Sequence, residues 1–183
     1  MDQTLPLNFY KITQPKVFRG EYLFKDQNDN PILTAKVVKF ECAFTDLNGN
    51  NLGTIKMPRL FPIKELLFLS YTFELYSNNQ LASLVKITKR FRTSIILQDI
   101  NKKDIAYVQY KVDYQDSIYP VIIITDPTGI EIAKMTRNTQ AQTITKKIET
   151  VAERNYDMTI NPNNTIPIII LLELAITIII SSA

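Results

Sequence analysis

The residues best suited to bind a ligand are basic and occupy one stretch, Lys86 to Arg92, which reads KITKRFR. In a β-strand, side chains alternate between two faces, so Lys86, Arg90 and Arg92 share a face on which neighbouring side chains lie about 6.7 Å apart. This spacing suits the oxygens of a phosphate group, which ammonium and guanidinium groups bind through charge-assisted hydrogen bonds. The pattern therefore predicts a phosphate-binding site at these three residues, and it places the apolar side chains of the stretch inside the protein together with Leu81.

A second, weaker basic site is predicted at Lys146 and Lys147. These lysines lie within residues 139–151, where the spacing of Ile144 and Ile148 fits a helix but the composition equally fits a strand. For both basic sites, a solvated surface is the alternative interpretation. Lysine and arginine on an exposed strand also discourage pairing with another sheet edge.

The composition gives little support to catalysis or metal binding. The chain has no histidine, so it lacks the usual general base and the commonest zinc ligand. The sequence contains no glycine-rich phosphate loop and no metal-ligand spacing. We therefore expect a protein that is not an enzyme and uses no cofactor or metal. A net charge of +3 is too small to indicate nucleic acid, but it is compatible with an anionic membrane surface.

The single cysteine, Cys42, indicates a reducing compartment because the chain cannot form an internal disulfide. Its neighbours Phe40 and Phe44 predict that Cys42 is a buried side chain that fills space in the core. The first ten residues show no basic region followed by an apolar one, which a secretion signal would require. We expect a cytoplasmic protein that can associate with a membrane peripherally.

Five polar turns separate runs of β-branched and aromatic residues, and they read DQNDN, DLNGN, SNNQ, DINKKD and DPTG. Asn, Asp, Gly and Pro favour turns while the flanking runs favour strands, so each turn predicts a β-hairpin. Five hairpins with flanking strands give about ten to twelve strands. Closure of so many antiparallel strands removes their exposed edges. The sequence therefore predicts a mainly β protein, a closed antiparallel barrel of about twelve strands.

The apolar tail, residues 166–180, admits three interpretations. As a membrane-spanning helix it would reach only about 22 Å across a bilayer core of about 30 Å, with Glu173 in mid-span. As a final strand it would need apolar cover on both faces, which a barrel wall in water lacks. As a helix inside the barrel it would fill an interior too wide for strand side chains alone. We predict the buried helix, with Pro167 in its first turn, and we expect Glu173 to have a partner or to face a barrel mouth.

The order of these segments resembles the tubby-like superfamily, in particular its LURP-one-related and phospholipid scramblase branches. The resemblance rests on order and spacing and is carried by five segments: residues 17–26, 53–58, 130–135, 153–160 and the tail. It implies a single domain over residues 1–183, with twelve strands around a central C-terminal helix at 166–180. It also implies that basic residues on the outer wall bind phosphoinositides.

The chain departs from the scramblase branch in two respects. Scramblases carry a cluster of cysteines, whereas here Cys42 stands alone, and the segment corresponding to their proposed calcium site keeps only Asp157 as a carboxylate. Calcium dependence is therefore not expected. The sequence favours a non-catalytic barrel that binds anionic lipid or phosphoinositide headgroups, with no nucleic acid partner. A protein-interaction barrel without a small ligand and a tail-anchored membrane protein are the alternatives.

Overall fold

The computed structural model describes residues 8–14, 20–58, 70–89, 93–111, 120–138 and 154–181. Twelve strands form one closed barrel, and one helix follows them. The elements are β1 Phe9–Gln14, β2 Glu21–Lys25, β3 Pro31–Val38, β4 Glu41–Asp46, β5 Asn51–Lys56, β6 Ser70–Ser77, β7 Gln80–Lys89, β8 Thr93–Gln98, β9 Asp104–Lys111, β10 Val121–Thr125, β11 Glu131–Asn138, β12 Arg154–Ile160 and α1 Ile168–Ser181.

The strands pair in chain order, each antiparallel to the next, and β12 pairs with β1 to close the barrel. The closing register runs from Phe9 opposite Thr159 to Gln14 opposite Arg154. Alternate residues are buried, as in β6, where Tyr71, Phe73 and Leu75 point inward. This alternation buries one face of the sheet, and closure leaves no strand edge unpaired. The predicted fold class is confirmed.

All five predicted hairpins form, and four share one turn geometry built on an aspartate. The Asp46 carboxylate accepts hydrogen bonds from the backbone amides of Asn48 at 2.9 Å and Asn50 at 2.8 Å. The third residue after each aspartate has a positive φ, which Gly49 adopts without strain. Asp26, Asp99 and Asp126 bind the amides two and four residues later in the same way. The aspartates therefore set the turns.

The apolar tail forms α1, which packs against β5, β6 and β7 inside the barrel. From Ile170 to Ile179 every side chain is buried, so the helix has no solvent face, as predicted. The carbonyl of Pro167 accepts the first helical hydrogen bonds. Just before the helix, the Asn164 side chain accepts a hydrogen bond from the Ile166 amide at 2.8 Å and donates one to the Ile166 carbonyl at 2.6 Å. Within the described ranges, no helix is long and apolar enough to cross a membrane.

Candidate functional site

Of the predicted headgroup ligands, only Lys86 falls within the described residues; Arg90, Arg92, Lys146 and Lys147 lie outside them. Lys86 is exposed on the outer face of β7, opposite Thr72 of β6 and Ile96 of β8. Its neighbours in the strand, Val85 and Ile87, are buried, so the predicted alternation is confirmed at this point.

The prediction that Leu81 faces the interior is wrong. Leu81 is exposed because it lies at the turn of the β6–β7 hairpin, where the register shifts between Leu75 and Tyr76. A bulge of this kind rotates the strand end away from the regular alternation. Alternation is regular only inside a strand, and the sequence pattern did not show where the bulge begins.

The wall around Lys86 carries both charges. Asp104 accepts hydrogen bonds from the Gln98 side chain at 2.8 Å and from the Tyr107 hydroxyl at 3.0 Å. These hydrogen bonds, with a further contribution from the Lys86 ammonium, lower the pKa of the Asp104 carboxyl. Lys86 therefore lies within electrostatic range of a carboxylate on the same wall. By itself it makes a weak site for an anion.

A larger charge pattern separates the two ends of the barrel. Because the strands form a meander, every odd-numbered strand finishes at the same end, which we call the basic end. The described acids there are Glu21, Glu41 and Glu74, the last of which lies opposite Lys56. The described basic residues in the strand segments and the turn at this end are Lys36, Lys39, Lys56, Lys86, Lys89, Lys111 and Arg137.

The opposite end, where the aspartate turns lie, has the reverse balance, and we call it the acidic end. Its described acids are Asp26, Asp29, Asp46, Asp99, Asp104, Asp126 and Glu131. Its described basic residues are Lys11, Lys25, Lys102, Lys103 and Lys134, and Lys11 is paired with Asp29 at 3.0 Å. The barrel therefore has an electrostatic polarity along its axis.

The chain segments that contain the remaining predicted ligands begin and end at the basic end. Residues 90–92 connect β7 to β8, and residues 139–153 connect β11 to β12. The described strand ends that flank both segments lie there. The described strand ends that flank the two predicted basic segments therefore lie at a common end of the barrel.

A surface groove opens at the basic end beside the β3–β4 turn. It has a volume of about 510 Å³ and is lined by Val38, Lys39, Phe40, Glu41, Lys56 and Met57. The side chains of Val38 and Phe40 are 56% and 44% exposed, and both line this groove. The Lys56 ammonium lies 4.3 Å from the centre of the Tyr76 ring, a cation–π contact that restricts its position.

Among the described residues, one carboxyl group lies inside the barrel. Glu173 of α1 is fully buried, and in the described structure neither carboxylate oxygen has a hydrogen-bond partner. Burial raises the pKa of Glu173 to about 8. The nearby Thr54 backbone amide lowers this pKa by a smaller amount, although its geometry does not meet the criteria for a hydrogen bond. The expectation that Glu173 has a partner or faces a mouth is therefore wrong. The barrel accepts the carboxyl group as a protonated acid.

A glycine makes room for that carboxyl group, and a cysteine lies within its electrostatic range. A Cβ atom on Gly53 of β5 would overlap Oε1 of Glu173 and lie 3.1 Å from Ile169 and from the Tyr76 carbonyl oxygen, so a larger residue would displace the carboxyl group. Cys42 of β4 is buried as predicted. Its pKa is raised to about 12, first by burial and then by the negative charge of Glu173. Such a thiol is not ionised near neutral pH, so it fills space in the core and is a poor nucleophile.

Comparison with known proteins decides the family. A sequence profile of the LURP-one-related family matches residues 9–179. The chain belongs to the LURP-one-related family. This family is part of the tubby-like superfamily, as the resemblance implied. A crystal structure of a protein from Arabidopsis thaliana is similar to this LURP-one-related barrel, with a TM-score of 0.59 and 12% sequence identity over 96% of this chain and 92% of the other.

The structural likeness establishes the fold and no more at that identity. No curated protein matches the chain. Across the described parts of this LURP-one-related barrel, no group of three or more His, Cys, Asp or Glu side chains could hold a metal ion. The surface feature that distinguishes the barrel is its axial charge separation. Sequence reasoning missed it because the charges are spread along the chain and meet only once the strand order is known.

Proposed function

We propose that this LURP-one-related barrel is a non-catalytic module that binds anionic phospholipid headgroups at a membrane surface through its basic end. The observation that carries the proposal is the separation of charge between the two ends of the barrel. An anionic membrane attracts one end and repels the other, so the field orients the barrel before any contact forms.

Within this arrangement, Lys86, Arg90 and Arg92 supply the principal headgroup contacts. Lys146 and Lys147 contribute from the connection between β11 and β12. Each lysine or arginine near an anionic surface contributes about 1 kcal/mol. Several such residues are enough for reversible binding of the barrel to the membrane. The Asp104 carboxylate near Lys86 weakens the attraction for a lipid phosphate, but the other basic residues outweigh it.

The test is co-sedimentation with vesicles of phosphatidylcholine that contain phosphatidylserine or a phosphoinositide. The triple variant Lys86→Ala, Arg90→Ala, Arg92→Ala removes about 3 kcal/mol of attraction and should weaken binding roughly 100-fold. The matched control is Lys25→Ala, Lys102→Ala, Lys103→Ala, which removes the same charge from the acidic end and should bind like the wild type. Binding of the wild type should also weaken as salt increases.

Equal pelleting of the two triple variants would contradict the proposal, because it would show that position does not matter. Equal pelleting with pure phosphatidylcholine would contradict it as well, since neutral lipid offers no anionic headgroup. A clear preference for phosphoinositide over phosphatidylserine at equal charge would identify a specific headgroup site.

A further inference from the structure

The β3–β4 turn at the basic end presents two exposed apolar side chains on either side of a lysine. Val38 ends β3, Lys39 and Phe40 form the two-residue turn, and Val38 pairs with Glu41 across it. Lys39 has a φ of 57°, the positive value that the first position of a type II′ turn requires. The turn is therefore short and conformationally restricted.

The turn is also tied to the next hairpin. The Phe40 carbonyl accepts a hydrogen bond from the Met57 amide at 2.7 Å. The exposed side chains of Val38 and Phe40 are thus displayed by a braced backbone. Little conformational entropy would be lost when they enter an apolar medium.

We infer that Val38 and Phe40 insert into the interfacial layer of an anionic lipid bilayer when the basic end docks on it. This inference rests on the proposed function and adds a second, apolar contact to the electrostatic one. Aromatic and branched side chains gain free energy on leaving water for the headgroup boundary. Lys39 and Lys56, which flank the groove, can bury their stems and keep their ammonium groups at the phosphate level.

Exposure alone does not identify this turn, and the opposite end of the barrel shows why. Leu47 is 64% exposed in the β4–β5 turn, and Ile100 and Ile130 are exposed in other turns of the same end. Those side chains stand among aspartates, which an anionic bilayer repels. Among the described residues, exposed large apolar side chains coincide with the basic end at the β3–β4 turn alone, so charge complementarity selects an anionic bilayer as the occupant.

The chain contains no tryptophan, so a single introduced indole reports its own surroundings. In the full-length chain, the emission of Phe40→Trp should shift to shorter wavelength on addition of phosphatidylcholine vesicles that contain phosphatidylserine. Lipids brominated on their acyl chains should quench it. The matched control is Leu47→Trp at the acidic end, whose emission should not change.

A second pair of variants measures the contribution to binding. Val38→Ser with Phe40→Ser should weaken vesicle binding on the order of tenfold, because partial burial of two apolar side chains is lost. Leu47→Ser with Ile130→Ser removes similar exposed apolar surface from the acidic end and should bind like the wild type. Circular dichroism verifies that both pairs fold.

The outcomes separate this inference from the proposed function. If vesicles bind the barrel and the basic-end triple variant loses binding, but Phe40→Trp shows neither shift nor quenching, insertion is overturned and headgroup binding stands. If the wild type does not pellet with anionic vesicles, both proposals fall. If Phe40→Trp shifts with protein concentration in the absence of lipid, the turn contacts a second copy of the chain, and insertion is likewise overturned.

Discussion

The hairpins β2–β3 and β4–β5 have the same design, with corresponding residues twenty positions apart in the chain. Asp26 and Asp46 bind their turns identically, and Phe24 and Phe44 contact each other in the core with ring centres 5.8 Å apart. The hairpins differ at other inward positions. Where the first has Tyr22 and Leu33, the second has the smaller Cys42 and Gly53.

This difference shows how one structural unit is adapted to what it encloses. Both hairpins keep the pairing in which the phenylalanine faces position 33 or 53. In the second hairpin, the volume lost at Gly53 is occupied by the Glu173 carboxyl group. The turn and the strand register therefore depend on residues within each hairpin. The size of the inward-facing residues depends instead on the part of the helix that they contact.

The largest expected effect comes from making the two hairpins alike. Gly53→Leu introduces the residue that the first hairpin carries, but its side chain would overlap Glu173 and crowd Ile169, whose nearest atom lies 3.1 Å from the added Cβ. Because the helix would be displaced, we expect a loss of stability of about 3 kcal/mol or more, or no folded protein. Urea denaturation followed by circular dichroism measures it.

A double variant serves as the control for this steric argument. Gly53→Ala alone should destabilise the barrel, and Glu173→Ala in the same chain should restore part of the loss. Wild-type stability of Gly53→Leu would show that the space beside Glu173 is not needed.

The second effect is a dependence of stability on pH that Glu173 imposes. Its folded pKa of about 8 lies above its ordinary value of 4.5, so the folded state holds a proton that the unfolded state releases between these values. The contribution of Glu173 to the free energy of unfolding should therefore be largest below pH 4.5. It should decline as pH rises and level off above pH 8. The total change is on the order of 5 kcal/mol.

The matched variant for this effect is Glu173→Gln, which keeps the shape and cannot ionise. Its stability should be nearly flat between pH 4.5 and 8 and should exceed that of the wild type at the upper limit. Cys42 does not interfere, because its pKa of about 12 lies outside this range. Parallel pH profiles for the two proteins would contradict the assignment.

The smallest effect tests the feature that the hairpins share. Asp26→Ala and Asp46→Ala each remove a carboxylate that binds two backbone amides in its turn. The two variants should lower Tm by a similar and modest amount, since the turns are alike and exposed. Calorimetry compares them directly. A much larger drop for one variant would indicate that its turn carries contacts that the other lacks.

The sequence predicted the features that depend on local pattern. The turns such as DLNGN and DPTG, the alternation around Lys86 and the uninterrupted apolar character of the tail indicated hairpins, a closed barrel and a buried helix. The helix begins at Ile168 and ends at Ser181, two residues and one residue later than predicted.

The features that the sequence did not predict depend on which strands face each other. Gly53 reads as an ordinary strand glycine until Glu173 is placed beside it. The axial charge separation needs the strand order, because Lys39, Lys56 and Lys89 are far apart in the chain. The exposure of Leu81 depends on a bulge whose position no local pattern marks. At the candidate site, the sequence identified the residue types, and the topology showed that the described strand ends beside them share one end of the barrel.

The position of α1 in the chain has a consequence for how the protein is made. The strand that closes the barrel, β12, and the helix that fills it are the last elements in chain order. While a ribosome synthesises the earlier strands, their inward side chains have no helix to pack against. β1 also lacks its partner β12, which lies more than one hundred residues later in the chain. Such long-range pairing is slow and leaves apolar surface exposed. The nascent chain should therefore depend on chaperones until β12 and α1 have emerged.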